Sequence, residues 1–168
     1  MDDQATPQID RLKLNRLLEE MKSNQNLSMG IVSGFVAAII GAVAWGTITH
    51  ITGYQIGFMA VGVGFIVGYS VRRFGKGIDV SFGVIGALLS LLGCLMGNMF
   101  TACIFISREM GMGLFTVIGR LNLEIISGIL THTFNPMDLL FYGIAIYEGY
   151  KFSFRRLEQR DISSLQAN

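Results

Sequence analysis

The chain predicts an all-α fold. Its expected form is an integral membrane four-helix bundle, with an N-terminal amphipathic helix before it and an outer-face amphipathic helix between its third and fourth spans. Three observations carry this expectation: a composition too apolar for an ordinary soluble domain, four apolar stretches of membrane-crossing length, and basic residues gathered on one side of them. Of 168 residues, 51% are hydrophobic and 15% charged, against a charged share of about 25% in soluble domains. The 21 glycines and two prolines suit packed transmembrane helices, because the chain has neither a proline-rich tract nor a glycine at every third position. A net charge of +1 gives no reason to expect nucleic acid as a partner. Cys94 and Cys103 share one apolar run and are separated by roughly 13 Å on a helix, beyond disulfide reach.

Residues 1–26 form the expected cytoplasmic N-terminal segment. Its acids and bases are mixed, with Asp10, Glu19 and Glu20 among Arg11, Lys13, Arg16 and Lys22, and no short apolar core leads to a cleavage site as in a signal peptide. Ile9, Leu12, Leu14, Leu17, Leu18 and Met21 recur at spacings that make 9–22 an amphipathic helix. Such a helix could lie on the membrane surface, pack on a second subunit or hold a cytoplasmic partner.

The transmembrane domain is expected over 27–156, with spans at about 27–49, 54–71, 80–106 and 136–156. The first is about 35 Å long as a helix and crosses a hydrocarbon core of about 30 Å. The second borrows Tyr54 and Gln55 at the interface and stops at "RRFGKG"; the third is long enough to tilt. The fourth has a complete start signal: Asn135 as N-cap, Pro136 at the first helical position and Asp138 in the first turn. The outer segment 107–135 contains a polar stripe of Thr116, Arg120, Glu124, Ser127 and Thr131. Helical spacing there predicts one amphipathic helix over 113–131, lying flat or re-entering the membrane. Residues 157–168 form a cytoplasmic tail.

Charge sets the orientation. Of the 13 lysines and arginines, only Arg108 and Arg120 fall on the outer side; Arg72, Arg73, Lys76, Lys151, Arg155 and Arg156 mark the other side and could meet lipid headgroups. The positive-inside rule then places both termini in the cytoplasm of a multi-pass protein.

Small residues repeat along the spans: Gly30, Gly34, Ala38, Ala42 and Gly46 in the first; Ala60, Gly64 and Gly68 in the second; Gly86, Ser90, Gly93 and Gly97 in the third. Lipid supplies no hydrophobic drive between helices, so such stripes hold helices together by close backbone approach. Their number favours a homo-oligomer, though a compact four-helix monomer could also use all of them.

Ionisable and polar groups at membrane depth are the candidate site. Glu148 lies roughly 10 Å inside the boundary marked by Arg155. It reads either as a boundary ion pair with Lys151 or as an intramembrane carboxylate facing a central cavity, while Tyr142, Tyr147 and Tyr150 read as interfacial aromatics. Asn98, Arg120 and Glu124 complete the candidate ion or proton pathway, although a lone amide such as Asn98 is more often interhelical glue than a substrate contact. Weaker patterns are set aside. "VGVGF" lies within a continuous apolar run, "GVGFIVG" lacks dinucleotide spacing, and His50 and His132 have no metal-ligand partners nearby. "RRFGKGID" reads as a topology determinant before a phosphate or headgroup site. No catalytic order of residues indicates an enzyme, and no cofactor or metal is implied.

The stretches "GFMAVGVGFIVGYSVRRFGKGIDVSFGVIGALLSLLGCLMGN" and "FNPMDLLFYGIAIYEGYKFSFR" resemble the signature stretches of a family of small uncharacterised bacterial inner-membrane proteins with four predicted transmembrane helices. The resemblance spans about 27–156. It implies a bacterial cytoplasmic membrane protein and brings no activity or site residue with it. Two function classes follow from the residues: a homo-oligomeric channel-like or transport-related protein, or a membrane-embedded scaffold whose ends recruit a cytoplasmic partner.

Overall fold

A computed structural model of the chain describes residues 11–54, 57–133 and 136–155. The described residues are helical, without a strand, in seven elements: α1 (Arg11–Ser23), α2 (Leu27–Thr52), α3 (Phe58–Gly75), α4 (Val80–Met110), α5 (Leu114–Gly119), α6 (Leu123–Thr133) and α7 (Pro136–Phe152). Local chemistry sets the boundaries. The Asn26 side chain accepts from the Met29 amide at the start of α2, and Gly53, at φ 72°, closes the same helix in the left-handed region where a Cβ is disfavoured. Lys76 takes the left-handed position after α3, and Gly111 does so after α4.

Helices α2, α3, α4 and α7 form the bundle. α2 and α7 each pack on both α3 and α4, α3 touches α4, and α2 does not reach α7. The cross-section is therefore a rhombus with α3 and α4 on its short diagonal. Chain direction alternates, so α2 and α4 run one way while α3 and α7 run the other. One end gathers the start of α2, the end of α3, the start of α4 and the end of α7, tied by Asn26 N–H to Gly75 O at 2.8 Å and Arg155 N–H to Gly77 O at 2.9 Å. The Gln25 side chain adds bonds to the Ile78 amide and the Asp79 carboxylate. This basic end carries Lys22, Arg72, Arg73, Lys76 and Arg155. At the distal end the Arg108 guanidinium donates to His50 O at 2.5 Å.

The interior is built from small residues and the outside from large ones. A Cβ at Gly64 would lie 2.7 Å from Ala145 Cα, and one at Gly149 would lie 2.7 Å from Gly86 O. α7 thus touches α3 and α4 almost backbone to backbone. Gly30, Gly34, Ala38, Ala42 and Gly46 are all buried; Gly34 faces Val71 and Leu89, Gly46 faces Phe100, and Ala38 lies against Gly93. Val32, Val36, Ile40, Ile66, Leu88, Leu139 and Leu140 point outward and are exposed. Every small-residue stripe is consumed within one chain, so the stripes no longer argue for an oligomer. Two helices, α2 and α4, are long and apolar enough to cross a membrane.

Several boundaries differ from expectation: α3 runs Phe58–Gly75 where 54–71 was expected, and α2 continues to Thr52. The single amphipathic helix predicted over 113–131 is two helices: α5 stops at Gly119, and Asn122 starts α6 afresh by accepting from the Ile125 amide at 2.7 Å. An asparagine that caps a new helix outweighs the continuous apolar spacing on either side of it. α7 ends at Phe152 rather than Arg156, because the chain turns to bond Arg155 to the loop at Gly77. α4 runs on to Met110, one turn beyond Ile106. The cap expected at Asn135, Arg156, the tail 157–168, Gln55 and Ile9 lie outside the described residues, as does the His132 side chain. α1 forms as anticipated. Among the described residues no bundle helix packs along its backbone, but Met21 near its end is buried at 3% while Leu12 is 78% exposed.

Candidate functional site

Polar side chains converge inside the distal half of the bundle, from three helices. α2 contributes Trp45 and Thr49, one turn apart; α4 contributes Asn98 and Thr101; α7 contributes Asp138 and Tyr142. Each is less than a tenth exposed, and Trp45, Thr49, Asn98 and Thr101 are at 1%. Glycine makes the approach possible: a Cβ at Gly97 would come within 2.6 Å of the Trp45 ring, so the indole lies across the α4 backbone beside Asn98. Because α2 and α4 run parallel, Thr49 and Thr101 each lie one turn further toward the distal end on the same seam.

Across the seam from α2, Tyr142 turns inward. Its hydroxyl donates to Cys94 O at 3.4 Å, its side chain shares a hydrogen bond with Asn98, and Asp138, one turn before it, is near enough for its charge to act on the phenol. Tyr142 is therefore a core residue, not the interfacial aromatic that its neighbours Tyr147 and Tyr150 suggested; those two are exposed.

Among the described residues, Trp45 Nε1, Thr49 Oγ1 and Thr101 Oγ1 have no hydrogen-bond partner. Hydroxyls elsewhere behave differently. Thr47 bonds Val43 O at 2.8 Å, Thr52 bonds Ile48 O at 2.8 Å, Ser90 bonds Gly86 O at 2.7 Å and Ser153 bonds Gly149 O at 2.5 Å. This back-bonding to the preceding turn is the local alternative open to any helical serine or threonine. Thr49 and Thr101 forgo it. An unpaired buried hydroxyl costs about 1–3 kcal/mol, so the fold carries a standing cost that a small hydrogen-bonding guest would relieve. The indole N–H donates, whereas the hydroxyls and the amide both donate and accept. The set suits water or a small solvated ion better than an apolar ligand.

The residues picked out in the sequence do not gather at one point. Asn98 is in the cluster. Glu148 lies six residues beyond Tyr142, roughly 9 Å along α7 toward the basic end, on the flank facing α3 rather than on the bundle axis occupied by Ala145 and Gly149. Its Oε2 is buried and accepts no hydrogen bond among the described residues. The Lys151 ammonium, the nearest charge to act on it, lies 5.4 Å from the centroid of the Tyr147 ring. Arg120 and Glu124 are exposed, on opposite sides of the break between α5 and α6; Arg120 reaches Met112 Sδ at 3.9 Å. Among the described residues, no three His, Cys, Asp or Glu side chains form a metal-holding group.

Sequence reasoning missed Trp45, Thr49, Thr101, Asp138 and Tyr142 as site residues. The available signal was the run Asp138, Tyr142, Ala145, Gly149, spaced four, three and four, which places the first two on the same face as the small residues. No family model, curated protein or solved structure matches the chain.

Proposed function

We propose that the chain is a four-span protein of the bacterial cytoplasmic membrane, with both termini inside, and that it is transport-related, passing a small ion or proton through the polar cluster between α2, α4 and α7. The observation that carries this reading is the inward-turned, unpartnered set of Trp45 Nε1, Thr49 Oγ1 and Thr101 Oγ1. Polar groups inside membrane helices are costly, and those facing a bundle interior mark pathways more often than surface accidents. Asp138, Tyr142 and Asn98 lead from the distal end to the cluster, and Glu148 is the next carboxylate toward the basic end.

Support for four spans comes from the outward Val, Ile and Leu side chains and the glycine-rich interior, the reverse of a water-soluble bundle and the arrangement lipid favours. Support for the orientation comes from the basic end, and the bacterial setting rests on the resemblance of the two quoted stretches. A homo-oligomer belongs to the proposal on other grounds than the stripes: Phe115 and Ile125 on α5 and α6 are exposed, and a second copy would cover them. The test is ion flux through the protein reconstituted in liposomes, wild type beside Asn98→Leu and Glu148→Gln at equal oligomeric mass. Flux that Asn98→Leu abolishes supports the reading; no flux across several cations and anions ends it.

One observation favours the scaffold reading. Although Met21 near its end is buried, α1 packs its backbone on no described bundle helix and leaves Leu12 exposed, as a helix that docks a cytoplasmic protein would.

A further inference from the structure

The surface between α2 and α3 is indented by a groove of about 350 Å³, within the range of about 300–1,000 Å³ typical of small-molecule sites. Met29, Val36 and Ile40 line one wall; Ile66, Ser70 and Phe74 line the other. The Ser33 hydroxyl within it is already engaged, lying 3.1 Å from Gly30 O and 3.2 Å from Ser70 O. Hydrocarbon is the guest such walls accept. From Met29 to Ile40 the groove runs roughly 17 Å along α2, close to the roughly 15 Å depth of one leaflet of the hydrocarbon core.

The mouth at the basic end is charged. Arg73 follows Ser70 by three residues and Ile66 by seven, so it continues the groove face of α3, and it is exposed. Arg72 falls on the neighbouring face, toward α7. Asp79, the acid closest in sequence, is engaged by the Gln25 amide. A second copy of the chain is a poor occupant, because membrane helices dock through small residues, and the glycines and alanines of α2 and α3 are mostly turned inward against α4 and α7.

We propose that the α2/α3 groove binds an anionic phospholipid of the leaflet at the basic end, with one acyl chain along the groove and the phosphate at Arg73. The proposal rests on the bilayer reading above and is independent of transport. A basic side chain at a membrane surface is worth about fivefold in attraction for anionic lipid, and that ratio is what the experiment reads.

The full chain, purified in detergent, is equilibrated with equimolar phosphatidylglycerol and phosphatidylcholine of matched chains, and retained lipid is counted by native mass spectrometry. Wild type is expected to keep one phosphatidylglycerol, at about fivefold preference. Arg73→Gln should bring the preference close to one while Arg72→Gln leaves it. Val36→Trp, which fills the groove, should lose the retained lipid of either kind. Equal retention of the two lipids by wild type overturns the proposal, and so does an equal effect of Arg72→Gln and Arg73→Gln, which would mean diffuse attraction to a basic surface. Arg73 is exposed, so its variant folds whether or not Val36→Trp does. Release of the chain from membranes by alkaline wash would overturn the bilayer reading itself, whereas a membrane-integrated chain without lipid preference overturns the groove alone.

Discussion

Gly64→Ala tests the packing that holds α7 in place. The added methyl would sit 2.7 Å from Ala145 Cα and 2.5 Å from Ala145 O, where carbon atoms ordinarily rest about 3.5–4.0 Å apart. Both obstacles are backbone, so no rotamer change relieves them, and α3 and α7 must separate by about 1 Å. Overpacking of this kind costs about 1–3 kcal/mol. Gly62 gives the matched control: it lies two residues away on the same helix, and nothing stands within 4 Å of its added Cβ. There alanine should help by about 0.5–1 kcal/mol through backbone entropy. The two variants, unfolded by dodecyl sulfate titration in mixed micelles, should therefore differ from wild type in opposite directions. Gly64→Ala as stable as wild type would refute the close approach of α3 and α7.

Thr101→Val removes an unpartnered buried hydroxyl at constant shape. It should leave the chain at least as stable as wild type in the same titration, while cutting liposome flux at least tenfold, equivalent to about 1.4 kcal/mol. Glu148→Gln should change stability by no more than about 0.5 kcal/mol, since Oε2 has no partner among the described residues and Lys151 lies over Tyr147; a loss of several kcal/mol would show that the carboxylate is hydrogen-bonded in the folded protein. Cys94 and Cys103 are at 0% and 1% exposure. Neither should react with a maleimide in the folded protein, and both should react after unfolding, as mass spectrometry would show.

Much of the helix layout was legible in the chain. The apolar runs located α2 and α4, Pro136 and Asp138 marked the start of α7, and the stripes at Gly30, Gly64 and Gly86 identified the contact faces, because periodicity and start signals are properties of one segment. What each face contacts is a property of two segments. Nothing in Gly64 says that its neighbour is Ala145, and the spare stripes looked like an oligomer interface until each found its partner within the chain. The same limit hid the site. Asn98 was visible as a lone amide in an apolar run, but Trp45, Thr49 and Tyr142 look like ordinary membrane residues until the register of three helices brings them together. Arg120 and Glu124 were read one turn apart on a continuous helix, and the Asn122 cap between them broke that helix.

A transport pathway through the polar cluster requires that the cluster communicate with water at the distal side. Thr101→Cys, in a chain whose Cys94 and Cys103 are replaced by alanine, places a thiol in the cluster, and an impermeant maleimide can be offered to either face of oriented vesicles. Slow labelling is expected from the distal face, faster than at Ala38→Cys in the same background and absent from the basic face. Labelling no faster than at Ala38→Cys from both faces would make the cluster a sealed part of the core and contradict a transport pathway through it.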